Sequence, residues 1–305
     1  MDMMTFCSFC GKRAQYVYHM KEYPIYQCTF CRTGFVHPMP DKDSLCGLYD
    51  GFLGGLDSGQ MSRFREIASQ LYLQLGLQKG LTLNMLDIGG GGGYFCKAFE
   101  ELGYGEATYV DLDPQSCTFA REKLGLNKVF ECDAMILQDV IELKFDFIYC
   151  RHLIEHLPNP TLFLLKIMDV LKETGVLVVQ FPNGDSLEYL AYPHTNIKDR
   201  FKKIRTSNNF SLLKTLWIMI SGKVLHGMDP PRHLWAISRK GISQWAKKNH
   251  ILCKKFTRHL GDVPFSPGYF KKSNLKGKLL DFFGQRFLSP IRGGTHLVVI
   301  LRKQA

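Results

Sequence analysis

Apolar and polar positions change period several times along this chain, and each change marks an element. Residues 15–20 and 23–27 alternate with period two, which predicts two short strands of a small hairpin. Residues 62–77 carry apolar side chains at helical spacing (Phe64, Ile67, Leu71, Leu75) and predict a helix leading into the main body. A short apolar run (Leu83, Met85, Leu86) predicts a strand, followed by Asp87, Ile88 and five glycines, Gly89 to Gly93, then a helix over 94–102. Strands at 107–110, 129–131, 145–150 and 175–179 alternate with helices at 114–124 and 161–171. A helix over 239–249, capped by Ser238, and a closing strand over 295–301, antiparallel beside the fifth, complete the rhythm. Apolar strands separated by amphipathic helices imply an α/β fold with a mostly parallel sheet covered on both faces.

The strand–glycine turn–helix unit lets backbone approach a nucleotide-like ligand closely. A dinucleotide fingerprint needs a glycine five positions after the first, but Gly89 leads to Tyr94 and Gly90 to Phe95, so that pattern is excluded. Asp111 ends the second strand, where a carboxylate can accept from both hydroxyls of a ribose. Asp113 is its rival, yet it precedes Pro114 and reads as a helix cap. Asp133, after the third strand, can accept from an adenine amino group, and Asp146 either turns outward or caps its strand.

Four of the ten cysteines are paired: Cys7 with Cys10 and Cys28 with Cys31, two C-x2-C knuckles that together supply a tetrahedral zinc site. About forty residues bury little core, so the metal is expected to hold this piece folded, in a structural role. The other six cysteines are scattered, as in a reduced protein. The expected organisation is a ribbon over 1–45, a linker and leading helix over 46–80 (with 47–59 glycine-rich), and the main domain over 81–305 with an insertion at about 184–230. The longest apolar-rich stretch, 212–225, is interrupted by Lys214, Ser221, Gly222 and Lys223, and no signal-peptide pattern opens the chain, so a cytoplasmic protein is expected. Charge is unevenly spread: residues 198–305 carry +19 and the rest −8. A basic C-terminal third suits an anionic acceptor, an acidic membrane surface or nucleic acid, or serves solubility.

The order Asp87–Gly93, Asp111, Asp133, Phe145-Asp146, Leu153-Ile154-Glu155-His156-Leu157 and Gly175-Val176-Leu177 resembles class I S-adenosylmethionine-dependent methyltransferases of the ubiquinone-biosynthesis and sugar-methylating kind. Residues 81–183 carry the resemblance. The ribbon, with Val36-His37-Pro38-Met39-Pro40 and Leu48-Tyr49-Asp50, is similar to zinc-ribbon-bearing members, including deoxysugar methyltransferases. The resemblance implies a Rossmann-like sheet of seven strands, one of them antiparallel. It also implies an S-adenosylmethionine site formed by Asp87, Gly89, Gly91, Gly93, Asp111, Leu112, Asp133, Ala134 and Cys150. The chain departs from many relatives in lacking a small polar or cysteine residue between its glycines.

Methyl transfer to a hydroxyl or carbon acid requires a base, and histidine suits neutral pH. His156, His233 and Glu155 are the catalytic candidates, with His152 beside them. His152 and His156 are four apart and would share a face on a helical turn, an arrangement that also suits a divalent metal. Structural roles are the alternative: Glu155 and His156 orienting their turn, His233 and Trp235 packing. Arg63 and Arg65 can meet the carboxylate of the cofactor's methionine moiety or line a solvated helix face.

The insertion holds Lys198, Arg200, Lys202, Lys203 and Arg205, then an apolar-aromatic run over 210–220. It reads first as a lid over the acceptor and second as a peripheral contact with an anionic membrane. The expected activity is methylation of a small-molecule or glycan-type acceptor, including anionic ones such as a nucleotide-sugar or polysaccharide precursor. The alternatives are an RNA methyltransferase and a non-catalytic scaffold that uses the ribbon for docking. Nucleic acid is the less favoured partner, because the segment after the fourth strand lacks Asn-Pro-Pro-aromatic and the ribbon carries few basic residues.

Overall fold

The computed structural model describes residues 5–45, 47, 60–77, 82–186, 197–221, 223, 225–258, 294 and 296–304. Residues 48–59 of the glycine-rich linker expected over 47–59, the Leu48-Tyr49-Asp50 segment among them, and Thr295 lie outside the described residues.

Two sheets organise the chain. The first contains β1 (Thr5–Phe6), β2 (Arg13–Met20), β3 (Tyr23–Cys28) and β4 (Gly34–Val36), all antiparallel, and is completed by β10 (Trp235–Ala236) in the order β1-β2-β3-β4-β10. Hairpin register sets Ala14 opposite Cys28 and Met20 opposite Tyr23. That fifth strand is a finding that sequence pattern did not anticipate: it is two residues long and its partner lies about two hundred positions earlier.

The second sheet contains β5 (Leu83–Ile88), β6 (Gly105–Asp111), β7 (Lys128–Glu131), β8 (Phe145–Arg151), β9 (Leu171–Pro182), β11 (Ile251–Arg258) and β12 (His296–Lys303). Its order is β11-β12-β9-β8-β5-β6-β7, with β5 parallel to both β6 and β8, and β9 parallel to β8. β12 runs antiparallel to both β9 and β11, which makes it the one reversed strand of seven. This is the Rossmann-like sheet the sequence implies. Its central strands bury Met85, Leu86, Phe147, Ile148, Leu177 and Val178 almost completely, as strands covered on both faces must.

Helices Gln60–Leu75, Tyr94–Glu101, Pro114–Glu122 and Pro160–Val170 follow the expected spans closely. Asp113, Asn159 and Ser238 cap helices by accepting backbone N–H groups, so the cap reading of Asp113 and Ser238 holds. The insertion forms two helices, Ile197–Asn208 and Leu212–Ile220.

The ribbon is joined to later segments of the chain at several points. Val36 donates its backbone N–H to Leu234 O at 3.0 Å, and the Ser238 hydroxyl donates to Cys31 O at 2.5 Å. Arg32 pairs with Asp185 at 2.7 Å. Asn208 grips the first strand of the hairpin, β2: its Oδ1 accepts from Tyr16 OH and His19 N, and its Nδ2 donates to His19 O.

Candidate active site

Strand order reverses at β5, with β6 on one side and β8 on the other, and the crevice at such a reversal is where open α/β sheets bind ligands. The glycine loop, Asp111, Asp133 and the turn after β8 all emerge at this carboxyl edge. Register sets Ile88 beside both Val110 and Cys150.

Asp87 is fully buried, and neither carboxylate oxygen has a hydrogen-bond partner among the described residues. Burial, and then the nearby charge of Asp111, push its carboxyl up to about 8, with Arg151 acting in the opposite direction. A Cβ at Gly90 would collide with this carboxylate. At Gly91, with φ +56°, a Cβ would meet nothing within 4 Å, so open space lies in front of the loop there. Asp111 accepts from Tyr109 OH at 2.7 Å and from Asp113 N at 3.0 Å, and the Tyr109 hydroxyl is also 3.0 Å from Gly92 N, which donates to it. Tyr109 therefore locks the acid to the glycine loop. Sequence reasoning missed this role, although Tyr109 and Asp111 share one strand face by their spacing of two.

The remaining cofactor candidates take different positions. Asp133 accepts from Met135 N and caps the short turn Ala134–Ile136; Leu112 is 63% exposed, and Cys150 is wholly buried in the sheet. Asp146 accepts from Asn84 N and Lys172 Nζ, tying β8 to its neighbours on both sides. Arg65 is engaged with Glu101 at 2.7 Å.

The acceptor-side candidates regroup. His152 takes a left-handed φ of +51°, so the segment after β8 is a turn and not the helical turn expected from the four-residue spacing. His152 and His156 therefore do not share a helical face. His152 Nδ1 lies 3.0 Å from Glu155 Oε1, while the His156 ring packs edge-on against His233 with centroids 4.6 Å apart. Glu155 is buried, and its Oε2 has no hydrogen-bond partner among the described residues. Burial alone would push this carboxyl up. When the neighbouring imidazoles are protonated, the hydrogen bond from His152 and the charges of His152, His156 and His233 outweigh that effect and hold it at about 2.

His156 Nδ1 lies 2.8 Å from Arg232 O, and His233 Nδ1 lies 2.5 Å from Gly227 O. A carbonyl can only accept, so both Nδ1 atoms carry hydrogen and each neutral ring presents Nε2 as its lone-pair acceptor. Burial, opposed by the charge of Glu155, lowers the His156 pKa and so favours the neutral ring. Ligand atoms of Glu155, His156 and His233 all lie within 4.8 Å of one another, so the three can act together on a proton or hold a divalent cation.

The other cluster is Cys7, Cys10, Cys28 and Cys31, whose sulfurs also lie within 4.8 Å of one another, at 3.6 Å for Cys7–Cys31 and 3.4 Å for Cys10–Cys28. A zinc tetrahedron with bonds of about 2.3 Å has edges of about 3.8 Å, so this donor set fits the metal. Four thiolate donors leave no position for a substrate.

The methyltransferase domain family model matches residues 60–250, more than half of the chain. The chain belongs to that family. A ubiquinone biosynthesis O-methyltransferase of Rhodopseudomonas palustris (strain TIE-1) is 32% identical over 101 residues, covering 32% of this chain and 39% of the relative. The enzyme of the same name from Neisseria meningitidis serogroup C is 25% identical over 158 residues, covering 44% and 66%. The chain thus spans between about two fifths and two thirds of these curated relatives. Among solved structures, the plantazolicin methyltransferase BamL, in complex with a triazolic desmethylPZN analog and SAH, is 14% identical with a TM-score of 0.47 over 81% of this chain and 87% of that one.

Proposed function

We propose that this chain is an S-adenosylmethionine-dependent methyltransferase that acts on a small-molecule or glycan-type acceptor bearing a proton to be removed. The curated relatives are named as O-methyltransferases, which agrees with an oxygen acceptor. The observation that carries the reading is the pair of imidazoles, His156 and His233, each with Nδ1 tied to a backbone carbonyl above the buried Glu155, at the same sheet edge as the glycine loop.

The residues present fit the cofactor. Gly91 faces open space that any side chain would fill, Asp111 is held by Tyr109 for a ribose, and the buried Asp87 carboxyl, with no hydrogen-bond partner among the described residues, would be ionised by a nearby cationic ligand. Bound S-adenosylmethionine supplies an electrophilic methyl group and a positive charge. The chain's residues then do three things. The loop and Asp111 orient the cofactor; Nε2 of His156 or His233 takes the acceptor proton; Glu155 stabilises the imidazolium that forms. Cys7, Cys10, Cys28 and Cys31 would hold zinc in a structural role, keeping the ribbon folded against the segment that carries His233.

The test combines S-adenosylmethionine calorimetry with detection of S-adenosylhomocysteine across a panel of nucleotide-sugar acceptors. His156→Ala and His233→Ala should keep cofactor affinity and lose about 10²–10⁴-fold in turnover. Wild-type turnover in both variants would remove the base assignment.

A second reading has Glu155, His156 and His233 holding a divalent cation that orients the acceptor. Backbone carbonyls anchoring both Nδ1 atoms are the outer contacts metal-ligating histidines use. Two metals per chain by elemental analysis, reduced to one in Glu155→Gln, would select it.

A further inference from the structure

The inserted hairpin presents an uncovered apolar face beside a cluster of cations. On helix Leu212–Ile220, Leu212, Leu213, Leu216 and Trp217 are 52, 78, 40 and 65% exposed, and their spacing places them on one face. Thr215, Ile218 and Met219 occupy the buried face. Ser211 caps the helix by accepting from Lys214 N, so the face belongs to a formed element. The preceding helix exposes Lys198, Lys202, Lys203 and Arg205 against one exposed acid, Asp199, and Lys214 adds a fifth cation over the Phe210 ring at 3.8 Å. This frame is anchored: Asn208 binds the ribbon hairpin, and Arg200 donates to Leu225 O and Met228 O.

We propose that this hairpin is a peripheral membrane contact, seating Leu213 and Trp217 in the headgroup region of an anionic bilayer while the lysines and Arg205 meet lipid phosphates. Leucines and a tryptophan beside basic residues are the composition of an interfacial helix. Five exposed cations against one acid match a negatively charged surface. A second copy of the chain is a poorer occupant, because a two-fold contact would bring the same cationic cluster against itself. No helix among the described residues is long and apolar enough to cross a membrane, so the contact lies in the interface plane.

Tryptophan emission reads this contact directly. Of the three tryptophans, Trp235 and Trp245 are 5% and 2% exposed, which leaves Trp217 as the residue able to report. Vesicles of phosphatidylcholine with phosphatidylglycerol should shift the emission to the blue and pellet the protein; vesicles of phosphatidylcholine alone should do neither. Salt at about 0.5 M should reverse binding. The double variant Leu213→Glu/Trp217→Glu should no longer pellet, and Lys202→Glu/Lys203→Glu should bind at least about tenfold more weakly. Both pairs are exposed and should keep wild-type circular dichroism and S-adenosylmethionine binding, which separates this contact from the cofactor site. Failure of the wild type to pellet with anionic vesicles, or equal binding to neutral ones, overturns the proposal. So does a wild-type dimer that Leu213→Glu/Trp217→Glu converts to monomer.

Discussion

Trp235 donates its indole N–H to the carbonyl of Leu157 at 2.9 Å, and so links the ribbon to the turn that carries Glu155 and His156. The same ring stacks on Phe35 at 5.2 Å and meets Phe9 edge-on at 5.8 Å. Leu234 N and Trp235 N both donate to Glu155 O. His233 is thus held two residues from a joint that ribbon and main domain share. Trp235→Ala should cost about 3–5 kcal/mol in chemical denaturation. Trp235→Phe, which keeps the ring stack, should leave cofactor affinity intact while lowering turnover. A Trp235→Phe variant with unchanged turnover would show that the joint does not position the acceptor site.

Zinc should act through that joint. Cys28→Ser removes one of four sulfur ligands, and native mass spectrometry should show the loss of one zinc per chain. Hydrogen exchange should then quicken in β2 to β4 and also in residues 232–238, which pair with the ribbon. S-adenosylmethionine binding should persist. Quickening confined to the ribbon strands would contradict the coupling.

Asp87 predicts a pH dependence whose sign follows from its burial. Its carboxyl titrates near 8 in the fold and at about 3.9 in an unfolded chain. Below about pH 4 both states are protonated and the group contributes nothing. Between about pH 4 and 8 the unfolded state ionises first, so the ligand-free fold loses stability as pH rises. Asp87→Asn should therefore melt higher than wild type at pH 8, with the gain shrinking towards pH 4. A cationic ligand would pull the Asp87 pKa back down, so cofactor binding at pH 7 should release a proton in wild type and none in Asp87→Asn. Calorimetry in buffers of different ionisation enthalpy measures that release, and equal values in both proteins would refute it.

The glycine loop gives a more local test. Gly91→Ala adds a Cβ at φ +56°, a conformation that costs a side-chain-bearing residue about 1–2 kcal/mol, and points it into the open space before the loop. Cofactor affinity should fall at least about tenfold. Tyr109→Phe should weaken it less, because it frees Asp111 without removing it. Equal losses in the two variants would contradict these roles.

Most of the main sheet was legible because strands buried on both faces read as apolar runs, as Phe145–Arg151 and residues 175–179 do. β11 was missed because residue type does not follow burial in this edge strand: apolar Leu252 is exposed while charged Lys255 is half-buried, so no apolar–polar alternation shows. The cysteine site was legible because knuckle spacing is local. The cluster proposed to meet the acceptor was only partly so. Glu155, His156 and His233, all named from the sequence, do come within 4.8 Å of one another, but spacing also suggested that His152 joins His156, and the positive φ at His152 turns it to Glu155 instead. Neither a backbone reversal nor a long-range pairing leaves a periodic trace in sequence.

The central claim is that the edge formed by Gly89–Gly93 and Asp111 binds S-adenosylmethionine, and titration calorimetry of the full chain measures this without knowledge of the acceptor. One cofactor per chain should bind the wild type, and Asp111→Ala, which removes the carboxylate proposed to hold the ribose, should weaken binding by at least about tenfold. Absence of binding to the folded wild type, or equal affinity in Asp111→Ala, would contradict the account.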